Sequence, residues 1–151
     1  MALAVGTNSW ISVTDANTYF GDRVGVTNYW YSGVEKEEAL VTAWRWLTGC
    51  SDYTFPATAV QAMKDAQCEY ALFLLQHQPD IDLRMGLQAQ GVVEAGVVKE
   101  KYGVGPGGIP LPPVVQGLLR VYYTGATIKL LNLERDDEES VTYDAYTNRG
   151  T

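Results

Sequence analysis

The sequence predicts a mainly α protein: a small helical bundle of about four helices with a short β-hairpin or strand region and an extended C-terminal arm. Apolar residues recur at helical steps of three and four in several segments. A valine-rich stretch broken by glycines, at about 88–102, is typical of short strands. Residues 125–151 combine a block of charges with few apolar groups, as in a segment that orders only against a partner. We therefore expect a helical domain at 1–124, with the β insertion inside it, and an arm at 125–151.

The strongest helical pattern lies at Thr58–His77. We expect Thr58 to cap this helix at its start and Pro79 to lie just beyond its end. Its segment 70–75 is apolar all the way round, so other elements must cover it on most sides. Charged side chains on one face and the shortness of the apolar run argue against a membrane span. The residues at alternating steps of three and four, which form a stripe along this helix, are Val60, Met63, Gln67, Tyr70 and Leu74.

Further helices follow from the same spacing. Ser12 or Thr14 can cap the first of them, and Ser32 can cap the second. The third follows two prolines, at 112 and 113, which suit the first turn of a helix. These predicted helices are Thr14–Arg23, Val34–Leu47 and Val114–Tyr123.

Two connections between the helices are predicted to be irregular. Residues 24–33 are rich in Gly, Asn and Tyr, and we interpret them as a surface loop. Residues 80–86 follow Pro79 and are interpreted as a polar connection.

The composition indicates a chain with a real core and an acidic surface. Hydrophobic residues make up 46% of the 151 residues, which disfavours disorder throughout. The formal charge of -7 favours solubility and disfavours a sequence-independent grip on nucleic acid, which relies on clustered Lys and Arg. Cys50 and Cys68 fit no metal spacing, which favours a reduced cytosolic setting with Cys68 as a small core residue.

No combination of residues predicts catalysis, a cofactor or a metal site, and we expect a protein without enzymatic activity. His77, the lone histidine, supplies neither a metal set nor a Ser–His pair, and we place it at a helix end against the negative dipole. The glycine-rich segment 103–108 lacks the Lys-Ser/Thr of a phosphate-binding loop and favours a linker. The acidic run 136–139 lacks the spaced ligands and glycine of a calcium loop and favours a solvated face.

The aromatic residues are the one unusual feature, with 10 tyrosines and 4 tryptophans. Exposed aromatics can stack on single-stranded bases or anchor a protein interface. Base stacking calls for interleaved Lys and Arg, which are scarce around 29–31, so we favour protein contact. Packing in the core stays open for Trp44. The predicted partner-binding residues are Trp30, Trp46, Leu130, Leu133, Tyr143 and Tyr146.

Five segments, in order over roughly residues 5–123, together resemble the head–tail connector, or adaptor, proteins of tailed bacteriophages. GTNSWISVTDANTYFGDR resembles the start of that family, and EEALVTAWRWL resembles its second helix. VVKEKYG resembles its short strand, and LPPVVQGLLRVYY its Leu-Pro-Pro-x-Val-x-x-Leu-Leu ending. The most specific segment, VQAMKDAQCEYALFLL, resembles a Val-Lys-x-Ala-x-Cys-Glu-x-Ala-Leu helix. It does so on Met63, Lys64, Ala66, Cys68, Glu69, Ala71 and Leu72.

The resemblance implies a structural virion protein of the neck, at the head–tail interface, that is assembled in the host cytoplasm. Its helical subunits would form a homo-oligomeric ring, commonly a dodecamer, beneath the portal protein. Such a ring extends the DNA channel, passes double-stranded DNA without specific binding, and docks the next neck or tail component. Because members are often catalogued as DnaT-like single-stranded-DNA-binding proteins, the alternative is a protein of that kind acting in phage replication. Neither the adaptor nor the DNA-binding protein implies a membrane partner.

The chain departs from the family pattern in two places. The loop 49–56 lacks the Trp-Pro-Arg segment that many relatives carry, and the arm at 125–151 extends past the usual end. The acidic charge suits a channel for DNA, because like charges repel and no counterions are released.

Overall fold

The computed structural model describes residues 2–33, 35–91, 94–95, 100–101 and 108–125, and over these residues the protein is mainly α, as predicted. The α-helices are α1, Val13–Gly21; α2, Lys36–Gly49; α3, Gln61–Ala89; and α4, Pro113–Leu119. A π-helical turn, Thr27–Tyr31, precedes α2, and a 3-10 turn, Arg120–Tyr122, follows α4.

Helix α3 is the centre of the fold. Helices α1, α2 and α4 and the π-helical turn all pack against it. The apolar run 70–75 is covered as the sequence predicts, since four of its six side chains are buried and Phe73 and Leu75 are partly buried against the core. The residue that the sequence places on the same stripe, Gln67, is fully buried as well.

The predicted bounds of the central helix are wrong at both ends. It begins at Gln61, after an N-cap residue Val60 that makes no side-chain capping bond, and it runs through Pro79 to Ala89. Its 29 residues give a length of about 43 Å. An interior proline destabilises a helix by about 3 kcal/mol, yet Ile81 is buried beyond it and Met85 packs on the core. We attribute the continuation to this packing, and residues 80–86 are helical rather than a connection.

The first two helices differ slightly from prediction at both ends: α1 begins one residue and ends two residues early, and α2 begins and ends two residues late. Of the two predicted caps for α1, Ser12 is the observed one, because its hydroxyl accepts a hydrogen bond from the Asp15 backbone N–H at 3.1 Å. Ser32 does not cap α2, since its hydroxyl donates to the Asn28 carbonyl within the π-helical turn. The N-cap residue of α2 is Glu35, and glutamates in the first turn suit the positive end of the helix dipole.

The segment 24–33 is not the surface loop that its composition predicts. It contains the π-helical turn, and Trp30 in that turn is 0% exposed. The Trp30 indole N–H donates to Asn17 Oδ1 at 2.8 Å, and its ring lies 4.5 Å from that of Phe20. Trp30 therefore cannot serve as a surface contact for a partner: burying a large indole with its N–H paired stabilises the subunit itself.

Helix α4 starts where its prolines predict, with Pro113 as its first residue, but it ends at Leu119 and gives way to the 3-10 turn. Two backbone bonds then tie the chain to the loop before α3. The Thr54 N–H donates to the Tyr122 carbonyl at 2.9 Å, and the Thr124 N–H donates to the Asp52 carbonyl at 2.7 Å. Phe55 contacts the rings of Trp10, Tyr53 and Tyr122 around this junction.

The predicted hairpin at 88–102 is not supported in that form. Residues 88 and 89 are the last residues of α3, and among the described residues of this segment the paired strands are β1, Glu94–Ala95, and β2, Glu100–Lys101. These strands are antiparallel, with Glu94 opposite Lys101 and Ala95 opposite Glu100. The arm lies outside the described residues from 126 onwards, as do the linker segment 103–107 and the acidic run 136–139.

Candidate interaction surfaces

A neutral hydrogen-bond network fixes the N-terminal segment onto the middle of the bundle. Gln67 Nε2 donates to Ser9 Oγ at 2.7 Å and to the Leu40 carbonyl at 2.9 Å. Gln67 Oε1 accepts from the backbone N–H of Trp10 at 2.8 Å. Ser9 in turn donates to the Ile11 carbonyl at 2.7 Å. One side chain on α3 thus joins a segment nearly sixty positions earlier to α2, which makes the subunit a single packed unit.

A charged cluster lies two positions further along α3, where Glu69 is almost fully buried. Arg23 holds its carboxylate in a bidentate pair, Nε to Oε1 at 2.9 Å and Nη2 to Oε2 at 2.8 Å, and the Tyr19 hydroxyl donates to Oε1 at 2.9 Å. Burial alone would raise the pKa of Glu69, but the bonds from Arg23 and Tyr19 hold that pKa below its usual value. Burial, followed by the bond to Glu69, raises the pKa of the Tyr19 phenol, which therefore stays protonated. At neutral pH the cluster thus pairs an ionised Glu69 with the Arg23 guanidinium and a neutral Tyr19 hydroxyl.

A groove of about 700 Å³ opens beside this cluster, between α1 and the start of α3. Its wall carries charges of both signs, with Asp15 and Asp22 on α1 and its cap, Arg23 just beyond, and Lys64 on α3. Because Arg23 is already paired with Glu69, the groove presents a mixed polar surface rather than one dominant charge.

A second groove, of about 420 Å³, lies between the start of α2 and the middle of α3. Its rim carries the exposed Glu35 and Glu38, and Leu74 and Leu75 form an apolar floor. Pro79 completes one side of it, at the point where the proline interrupts the hydrogen bonds of α3.

The buried thiols and the histidine show no arrangement for chemistry. Cys50 and Cys68 are buried thiols outside any disulfide, as predicted for Cys68 as a core residue. Burial raises the pKa of the Cys68 thiol to about 12, which makes it unreactive. His77 is exposed inside α3, with its ring 4.8 Å from that of Phe73, so its predicted place at a helix end is wrong. No group of three His, Cys, Asp or Glu side chains that could hold a metal occurs among the described residues.

Among the exposed apolar side chains, which also include Val24 and Leu83, two pairs lie on α4 with its following turn and on the π-helical turn. Val114 and Val121 project from α4 and the turn that follows it, with 55% and 74% of their surface exposed. Tyr29 and Tyr31 are exposed on the π-helical turn, and Lys36 Nζ lies 5.6 Å from the centre of the Tyr31 ring. Exposed apolar groups that share one element in this way are candidates for a contact surface.

The predicted partner-binding residues fall into three groups. Trp30 is buried, as described above, and Trp46 is partly buried, with its ring 6.1 Å from that of Tyr70. The other four, Leu130, Leu133, Tyr143 and Tyr146, lie outside the described residues. The sequence patterns do not indicate the α2–α3 groove or the exposure of the valines on α4 and its following turn. Val114 and Val121 are seven positions apart in a predicted helix, a spacing that could have identified a face.

Comparison with protein-family models, with characterised proteins and with solved structures found no match to this chain. Within the part of the chain that the structure describes, none of the helices combines the length and the apolar character needed to span a membrane.

Proposed function

We propose that the protein is a structural virion component without enzymatic activity: a head–tail connector, or adaptor, that forms a ring beneath the portal of a tailed phage. The ring extends the DNA channel in the neck and docks the next neck or tail protein. The observation that carries the proposal is the pairing of a tightly fixed interior with exposed apolar groups on α4 and the π-helical turn. The ordered series of motifs that resembles the adaptor family supports it.

The fixed interior supports an architectural role. The Gln67 network and the Glu69–Arg23 pair each join α3 to elements some fifty positions earlier in the chain. These bonds hold the subunit in one conformation when neighbouring proteins bind to its surface. A protein whose work is to transmit contacts between neighbours needs such a shape. The acidic charge of -7 lets double-stranded DNA pass through the ring without binding it.

Two further segments take part in assembly under this proposal. The segment after α3 that carries β1 and β2, and the arm at 125–151, contact neighbouring subunits or the portal. Leu130, Leu133, Tyr143 and Tyr146 anchor the arm, since burial of such side chains stabilises a contact by roughly 1.5–3 kcal/mol each at best.

The direct test is to mix the purified chain with the portal protein of the same phage and to measure the mass of the complex. We expect a ring of subunits on one end of the portal, visible by electron microscopy, and the protein in the neck of mature particles. A chain that ends at Gly125 is the matched variant, because it keeps the Thr124–Asp52 bond that closes the bundle. It should melt like the full chain and lose portal binding. Absence of the full chain from mature particles would refute the proposal.

A second candidate function, a DnaT-like single-stranded-DNA-binding protein in phage replication, is favoured by one observation. Tyr29 and Tyr31 are exposed, and a cation, Lys36, lies beside the second ring. Titration of a labelled oligonucleotide at low and moderate salt separates the two functions. The adaptor should bind weakly at both salt concentrations. Tight, salt-dependent binding that the double change Tyr29→Ala and Tyr31→Ala abolishes would establish the DNA-binding function instead.

A further inference from the structure

The groove between α2 and α3 is acidic and apolar at once. Glu35 and Glu38 stand exposed on its rim over the leucines of its floor, and none of its lining residues is basic. Pro79 has no N–H, so the Leu75 carbonyl lacks the donor that it would have in a regular helix. The groove therefore offers two carboxylates and an apolar floor to whatever occupies it.

The exposed face of α4 has the opposite character. Val114, Gly117 and Val121 follow one another at steps of three and four, so they lie along one side of the helix and its final turn. All of them are exposed, and Arg120 is exposed next to Val121. Segment 108–125 contains no carboxylate side chain, although the whole chain carries 18 Asp and Glu. The face is thus apolar with one positive charge.

Gly117 is not required by the subunit itself. A Cβ atom at this position would meet no other part of the subunit within 4 Å, and its backbone is outside the left-handed region that favours glycine. A glycine inside a helix is destabilising relative to alanine. A residue without a side chain between two exposed valines instead allows another backbone to approach closely.

We propose that the α4 face of one subunit docks into the α2–α3 groove of a second copy of this chain. Arg120 then faces Glu35 and Glu38, and the two valines cover the leucine floor. Both α2 and α4 pack on α3 but carry different surfaces, so each subunit offers a groove to one neighbour and a face to the other. A contact of this heterologous kind builds a closed ring where the rotation closes. The inference deepens the proposed function, and it rests on that function only for the ring's place in the particle.

The first test is charge reversal in the full chain, followed by sedimentation velocity at low salt. Glu38→Arg and Arg120→Glu alter exposed side chains, so both variants should fold, as circular dichroism will check. Each alone should weaken self-association by about tenfold or more, because like charges then meet across the contact. The double variant should associate more strongly than either single variant, since the pair of positions 38 and 120 is restored with its signs exchanged, while Glu35 keeps the recovery partial. A wild-type chain that stays monomeric at its highest soluble concentration, a dimer that does not grow further, or a double variant weaker than both singles would each overturn the proposal.

The second test uses Gly117 and separates a contact role from a structural one. Gly117→Ala should raise the melting temperature of the subunit and yet weaken self-association, because the new methyl group keeps the neighbouring backbone away. Gly86→Ala in α3 is the matched control, since Gly86 also has open space around it and lies outside both surfaces. It should raise the melting temperature and leave association unchanged. If Gly117→Ala behaves like its control, close approach at α4 is refuted.

Portal binding distinguishes a failure of this inference from a failure of the proposed function. Variants that keep portal binding while charge reversal leaves self-association unchanged would refute the docking geometry alone. Self-association that follows the charges as described, in a chain that never binds the portal, would instead refute the adaptor function.

Discussion

The two halves of α3 are held in place by different means. Over residues 61–77 the helix lies inside the bundle, and the buried polar side chains Gln67 and Glu69 bond to segments far away in the sequence. Over residues 78–89, by contrast, Ile81 is buried, Leu83 is 64% exposed, and Gln78 bonds to Asp82 on the same helix. The first half is fixed by polar bonds across the core as well as by packing, whereas the second half is fixed by the packing of Ile81 and Met85 and by its own helical bonds.

This difference has a consequence for stability. A segment whose bonds are local and exposed can open without unfolding the rest, whereas one bonded across the core opens only with it. We therefore expect the first half of α3 to exchange its amide protons by global unfolding and the second half to exchange them by local opening.

The largest expected effect is that of Gln67→Leu, which keeps the size of the side chain and removes its three hydrogen bonds. The Trp10 N–H is then buried without a partner, and the free energy of unfolding should fall by about 3 kcal/mol, measured by urea denaturation. The control is Gln78→Leu in the second half, whose amide bonds only to Asp82 on the surface. It should change stability by no more than about 0.5 kcal/mol. Equal losses at both positions would remove the distinction between the two halves.

Glu69→Gln should destabilise the first half by about 2 kcal/mol near neutral pH, because Arg23 loses its charged partner. The effect depends on pH with a defined sign. The pKa of Glu69 is lower in the fold than in the unfolded chain, so its contribution is present above the unfolded pKa and is lost as pH falls through the folded pKa. Wild type and variant should therefore converge in acid.

Thermal melts from neutral to acidic pH measure this convergence. Arg23→Gln is the companion variant, since it removes the other side of the pair and should flatten the same part of the pH profile. A constant gap between Glu69→Gln and wild type across the whole pH range would contradict an ionised Glu69 in the fold.

Pro79→Ala tests the second half directly. The new backbone N–H can donate to the Leu75 carbonyl, and the helix should gain about 1.5 kcal/mol of local stability, roughly half the difference in helix propensity. Hydrogen exchange should show greater protection over residues 78–89, and the global unfolding free energy should rise by a similar amount, because the unfolded chain has lost this helix segment as well. Gly86→Ala, which adds helix propensity without restoring that bond, should protect the same residues by about 1 kcal/mol. Exchange of 78–89 as slow as that of 61–77 in the wild type would show that the halves unfold together.

The sequence predicts the first half of α3 well because the decisive signal there is local. The steps of three and four place Met63, Gln67 and Tyr70 on one stripe, and all three are buried. The second half is missed because Pro79 is a local stop signal, whereas the packing of Ile81 and Met85 that outweighs it is a tertiary effect. Ser12 and the prolines before α4 are likewise local signals, and they are confirmed.

The candidate surfaces depend on contacts that no local pattern contains. Trp30 lies among Gly, Asn and Tyr residues that favour a loop, and it becomes a core residue only because Asn17 and Phe20 on α1 receive it. The α2–α3 groove likewise joins glutamates at 35 and 38 to a proline at 79, and the sequence gives no reason to bring them together. Spacing along one helix can identify a face such as that of Val114 and Val121, but it cannot name the surface that covers it.

The smallest expected effects on stability come from Tyr70, which lies in the first half of α3, and Tyr19, which packs against it from α1. The two effects have opposite signs. The Tyr70 hydroxyl is buried without a hydrogen-bond partner, and burial raises the pKa of this phenol. The Tyr19 hydroxyl instead donates to Glu69. Tyr70→Phe should therefore raise the unfolding free energy by about 1 kcal/mol, and Tyr19→Phe should lower it by a similar amount. Each change corresponds to a shift of about 3 °C in melting temperature. Losses of stability of equal size in both variants would mean that the Tyr70 hydroxyl is hydrogen-bonded in solution. Every buried polar side chain in the first half of α3 would then have a hydrogen-bond partner.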